Sequence, residues 1–100
     1  MDSENSVAIR LAAARALLGA VFPQLRAVFV SAENQSRRVQ FYFDGELSSG
    51  NQEAMEIAAT EIVADSPFEN AWVEKFDRLD APTPIPSLPG FTQVFLRKEP

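Results

Sequence analysis

Apolar residues recur along this chain with two periods, and the switches between them mark six elements. Residues 7–19, Val-Ala-Ile-Arg-Leu-Ala-Ala-Ala-Arg-Ala-Leu-Leu-Gly, are rich in strong helix formers. They follow candidate N-caps at Ser3 and Ser6 and close on Gly19 as a C-cap. On a helical wheel Val7, Leu11, Ala14, Leu17 and Leu18 share the arc expected to be buried, with Ile9, Ala12 and Ala16 opposite. Residues 25–32, Leu-Arg-Ala-Val-Phe-Val-Ser-Ala, are apolar on both sides, the pattern of an interior strand. A polar turn at 33–36 leads into 37–44, where Val39, Phe41 and Phe43 alternate with Gln40, Tyr42 and Asp44. These two runs predict an antiparallel hairpin.

The dipeptide Asp44-Gly45 breaks the second strand, and Ser48 and Ser49 offer caps for a helix over 50–65. Ser49 with Gln52 fits a capping box. Met55, Ala58, Ala59, Ile62 and Val63 form the buried arc, with Glu53, Glu56 and Thr60 opposite, and Ser66-Pro67 stops the helix. Residues 71–79 predict a third strand, with Trp72 and Phe76 on one face and Ala71, Val73 and Leu79 on the other. A connection carrying four prolines, 80–90, leads to a fourth strand at 91–98. The order αββαββ predicts an α+β fold over residues 1–100 as one domain. Its four-stranded sheet, mixed or antiparallel, carries both helices on one face. A crossover through the second helix would make strands two and three parallel, and the sheet mixed.

Composition supports a core, with 46% hydrophobic residues and eight Phe. It also removes chemistry. There is no Cys and no His, so thiolate nucleophiles, disulfides and the usual neutral-pH base are excluded. No run approaches the length of a membrane span, and no secretory leader is visible, so the expected location is cytoplasmic. The net charge of −5 is unevenly spread. Asp44 to Asp80 holds ten acids against two bases, a net −8, and the remainder holds four acids against seven bases, a net +3. That asymmetry predicts a one-signed face that repels nucleic acid and attracts basic proteins.

Candidate chemistry is sparse. Glu61 with Asp65 and Asp77 with Asp80 are the nearest carboxylate pairs, and neither has an established metal-loop spacing. The chain is therefore read as a non-enzyme with no metal and no cofactor. Glu61 and Asp65 sit four residues apart in the last helical turn, where like charge and the macrodipole each oppose them by roughly 0.2–1 kcal/mol. Either Asp65 folds onto the Ser66-Pro67 turn and Glu61 pairs with Arg78 or Lys75, or these acids await a basic partner. Pro86-Ser-Leu-Pro89 has the form of a proline-rich ligand, although its place between two strands favours a stiff connector.

Several stretches together carry a resemblance: Arg15-Ala-Leu-Leu-Gly19, Gln40-Phe-Tyr-Phe-Asp-Gly-Glu46, Thr60-Glu-Ile-Val-Ala-Asp-Ser-Pro67, Arg78-Leu-Asp-Ala-Pro82 and Val94-Phe-Leu-Arg-Lys-Glu99. In this order they resemble a family of small bacterial immunity proteins encoded beside polymorphic or contact-dependent growth-inhibition toxins. The resemblance implies a cytoplasmic inhibitor that binds and neutralises a cognate toxin domain, many of which are basic nucleases. The contact residues expected on that reading are Glu53, Glu56, Glu61, Asp65, Asp77 and Asp80, with Tyr42 or Trp72 as aromatic anchors. The expected partner is protein, with no nucleic acid and no membrane, and the expected state is a monomer or weak homodimer. Two other readings stay open: a homo-oligomeric interaction module using the Ala-rich side of the first helix, and a carboxylate-dependent enzyme.

Overall fold

A computed structural model describes residues 11–17, 21–31, 37–65 and 72–99, with Asp65 and Trp72 described by backbone alone. The elements are α1 (11–17), β1 (Leu25–Ser31), β2 (Arg37–Phe43), α2 (Ser49–Asp65), β3 (Trp72–Arg78) and β4 (Thr92–Leu96). The four strands form one mixed sheet in the order β3-β2-β1-β4. β1 pairs antiparallel with β2 in a register that sets Val28 opposite Phe41 and Val30 opposite Val39. β2 and β3, joined through α2, run parallel, as the crossover predicts. β4 returns beside β1, antiparallel, and so makes β1 an interior strand.

Alternation divides the sheet into two apolar faces. On one, Val28, Val30, Val39 and Phe41 pack under Ala13, Ala16 and Leu17 of α1 and under Met55, Ala58, Ala59 and Ile62 of α2. Both helices thus cover one face. Phe76 joins from β3, its ring 5.3 Å from that of Phe41. On the other face Ala27, Phe29 and Tyr42 form a second cluster beneath Leu79, Ile85, Leu88 and Phe91. The proline-rich segment is therefore a lid over the sheet that covers Tyr42, and Gln40, another polar position of the β2 alternation, is also buried.

Two local expectations are corrected. In α1 the buried arc is Ala12, Ala13, Ala16 and Leu17, whereas Leu11 is 51% exposed and Ala14 also faces solvent. Nearly every position of this helix is apolar, so periodicity alone could not choose a face; alanines let the backbone approach the sheet where leucines would hold it off. The Ala12 and Ala16 side is consequently covered inside the fold, not offered to a second copy. The expected caps at Ser3, Ser6 and Gly19 lie outside the described residues. In α2 the capping residue is Ser48: its hydroxyl accepts from the Asn51 amide at 3.1 Å, and its carbonyl accepts from the Gln52 amide at 2.9 Å. Ser49 is instead the first helical residue, so the Ser49–Gln52 box does not form.

Candidate functional site

The turn from β2 into α2 is held against the end of β3, and this builds a groove. Gly45 takes a left-handed φ of 74°, a conformation glycine adopts without Cβ strain. Its amide donates to Asp80 Oδ1 at 2.7 Å, and Arg78 Nε donates to the same oxygen at 2.9 Å. The Leu79 amide donates to the Phe43 carbonyl at 2.7 Å. Asp80 thus ties the turn to β3. The Arg78 guanidinium, and then the Gly45 amide, hold the Asp80 carboxyl below the usual carboxylate range. Asp80 in turn raises the Arg78 guanidinium.

Between this staple and α2 lies a groove of about 400 Å³. Its floor is apolar, from Phe43, Leu47, Met55 and Phe76, and its rim carries Glu46, Glu56, Gln52 and Arg78. Arg78 is already matched by Asp80. Glu46 and Glu56 are exposed, and among the described residues neither forms an ion pair; Glu56 accepts a 3.3 Å hydrogen bond from Gln52. The rim's uncompensated charge is therefore negative.

The expected contact residues separate. Glu53, Glu56 and Glu61 are exposed on α2, Glu56 at the groove and Glu61 on the far flank of the helix. Glu61 forms no ion pair with Arg78 or Lys75, and the last turn of α2 contains no base. Asp77 lies on the other face of the sheet, accepting from Gln40 Nε2 at 2.8 Å. Asp80 is engaged in the staple. Tyr42, 9% exposed, meets Phe29 edge-on at 6.1 Å in the second cluster, and burial followed by the Asp77 charge pushes its hydroxyl pKa up. The side chains of Asp65 and Trp72 lie outside the description. The acids of the middle segment therefore divide between α2, the β3 staple and the opposite face.

A different constellation, not singled out from sequence, binds the chain together. Arg26, 2% exposed, donates through Nε and Nη2 to both Glu99 oxygens at 2.7 and 2.8 Å, and through Nη1 to the Leu79 carbonyl at 2.8 Å. Arg97 bridges Asp44 at 3.1 Å and Glu99 at 2.9 Å and donates to the Pro23 carbonyl. Hydrogen bonds from Arg26, then from Arg97, hold the Glu99 carboxyl down at about 2. The available signal was an arginine inside an apolar β run, which must find a carboxylate when buried. Among the described residues no group of three or more His, Cys, Asp or Glu could hold a metal ion. No described helix is long and apolar enough to cross a membrane.

The model of the MafI2 immunity protein family matches residues 6–99. No curated protein matches the chain. With nearly the full length covered, the chain belongs to the MafI2 immunity protein family.

Proposed function

We propose that, as a member of this family, the chain is a non-catalytic inhibitor that binds a cognate toxin domain in the cytoplasm. The observation carrying this reading is the charge state of the α2 flank. Glu46, Glu53, Glu56 and Glu61 are exposed without an ion pair among the described residues, and two of them, Glu46 and Glu56, rim an apolar groove. Carboxylates in that state attract a basic protein from a distance, and the groove supplies the apolar contact that slows dissociation. A toxin of nuclease type, with a basic cleft for phosphates, is the partner class such a surface fits.

The test is a titration with the toxin domain encoded in the adjacent gene, using the native chain and a Glu53→Lys, Glu56→Lys, Glu61→Lys variant. At low salt the variant is expected to associate roughly tenfold or more slowly, with the difference shrinking as salt is added. Equal association rates and affinities would remove the acidic surface from the reading. Absence of any binding by the native chain would remove the toxin.

A further inference from the structure

β3 stands at one margin of the sheet, and among the described residues nothing pairs with its outer edge. Five of its six described side chains, Val73, Glu74, Lys75, Asp77 and Arg78, are exposed, Val73 by 48%. Such an edge presents a row of backbone donors and acceptors that an extended chain can join. Side chains of an added strand alternate between the two faces of the sheet. Each face has a cavity at β3: the acidic groove reaches Phe76 and Arg78 on the helix side. A smaller one of about 210 Å³, with Arg38, Val73, Lys75, Leu88 and Phe91, lies on the lid side. Two cavities lined by alternate residues of one free edge form a reading frame for an incoming strand.

We propose that β3 receives an extended segment of the toxin as a fifth strand, one face of which sends a lysine or arginine into the groove between Glu46 and Glu56. The proposal rests on the immunity reading and names the mode of contact. Charge fixes the occupant. Arg78 is neutralised by Asp80, so Glu46 and Glu56 define the helix-side rim. A basic side chain lays its aliphatic stem on Phe43, Met55 and Phe76 and its charge at the carboxylates. On the lid side Arg38 lies 5.0 Å over the Phe91 ring and Lys75 is exposed, so the neighbouring toxin residue is apolar or acidic. The other margin, β4, has five residues, and no acid lines the cavity beside it. On the helix side a second copy of β3 would offer Glu74, Phe76 and Arg78, whose one base is already held by Asp80, so the basic side chain for Glu46 and Glu56 comes from a different partner.

Amide hydrogen exchange of the full chain, alone and with the toxin domain encoded in the adjacent gene, tests this. Amides of β3 that exchange freely in the isolated chain are expected to slow roughly tenfold or more in the complex. A Glu46→Lys variant with an unchanged urea midpoint is expected to bind at least tenfold more weakly, and Glu46→Gln to fall between. Tight binding with β3 exchange unchanged overturns strand addition and leaves the immunity reading standing. No binding overturns both. β3 amides protected in a dimer without toxin would assign the edge to a second copy and overturn the proposal.

Discussion

Two neighbouring regions use charge in opposite ways. Around Arg26 and Arg97, cations and carboxylates close on each other and on backbone carbonyls, tying β1, the end of β2 and residues after β4 into one unit. Two residues beyond Asp44 in that cluster, Glu46 opens the acidic flank, where carboxylates stand exposed and, among the described residues, form no ion pair. The first arrangement is construction; the second forms no internal ion pair among the described residues. Charges that contribute nothing to folding are the ones a partner can use, because binding them breaks no internal pair.

The contrast is broken most severely at Arg26. Arg26→Met removes a buried donor from Glu99 and from the Leu79 carbonyl. Glu99 retains some water, so the loss is expected near 2–3 kcal/mol, below that of a fully buried pair. Urea denaturation checks it. Acid offers a gentler perturbation. The Glu99 carboxyl titrates at about 2 in the fold against an ordinary 4.5, so its contribution is complete above about 4.5 and fades as pH falls toward 2. The urea midpoint should decline through that window, and Glu99→Gln should flatten the decline. The smallest effect belongs to the acidic flank. Glu53→Lys, Glu56→Lys and Glu61→Lys should each change stability by no more than about 0.5 kcal/mol. A thermal melt showing a larger loss at any of them would give that acid a structural task and dissolve the distinction.

The fold was largely legible because its strongest signals are local. The alternation of Val39, Phe41 and Phe43 and the arc of Met55, Ala58, Ala59 and Ile62 each bury the predicted side. The parallel pairing of β2 with β3 followed from one crossover rule. Legibility failed where a decision depended on a distant segment. Tyr42 occupies the polar phase of its strand, yet Ile85, Leu88 and Phe91, more than forty residues later, cover its cluster. Arg26 is buried because Glu99 arrives beside it, a pairing with no local trace. The acidic flank was half legible: composition located the acids, but only the topology separates Asp77 onto the opposite face and commits Asp80 to Gly45 and Arg78. The groove escaped notice because Leu47 and Glu46 belong to a turn, where no periodicity identifies an inward side chain.

The bond from Arg26 to Glu99 spans 73 residues of sequence, and this has a kinetic consequence. The β1–β2 hairpin closes a short loop, whereas β4 reaches β1 only after β2, α2, β3 and the proline-rich lid have been traversed. Closing so long a loop is an entropic toll that local pairings escape, and it weights the fold toward slow, late completion. Until β4 docks, β1 keeps an open margin and a guanidinium without its carboxylate. Arg26 thereby acts as a completion signal: its charge is satisfied only when the final strand is in register, and a chain that stops short of that register retains the defect at its centre.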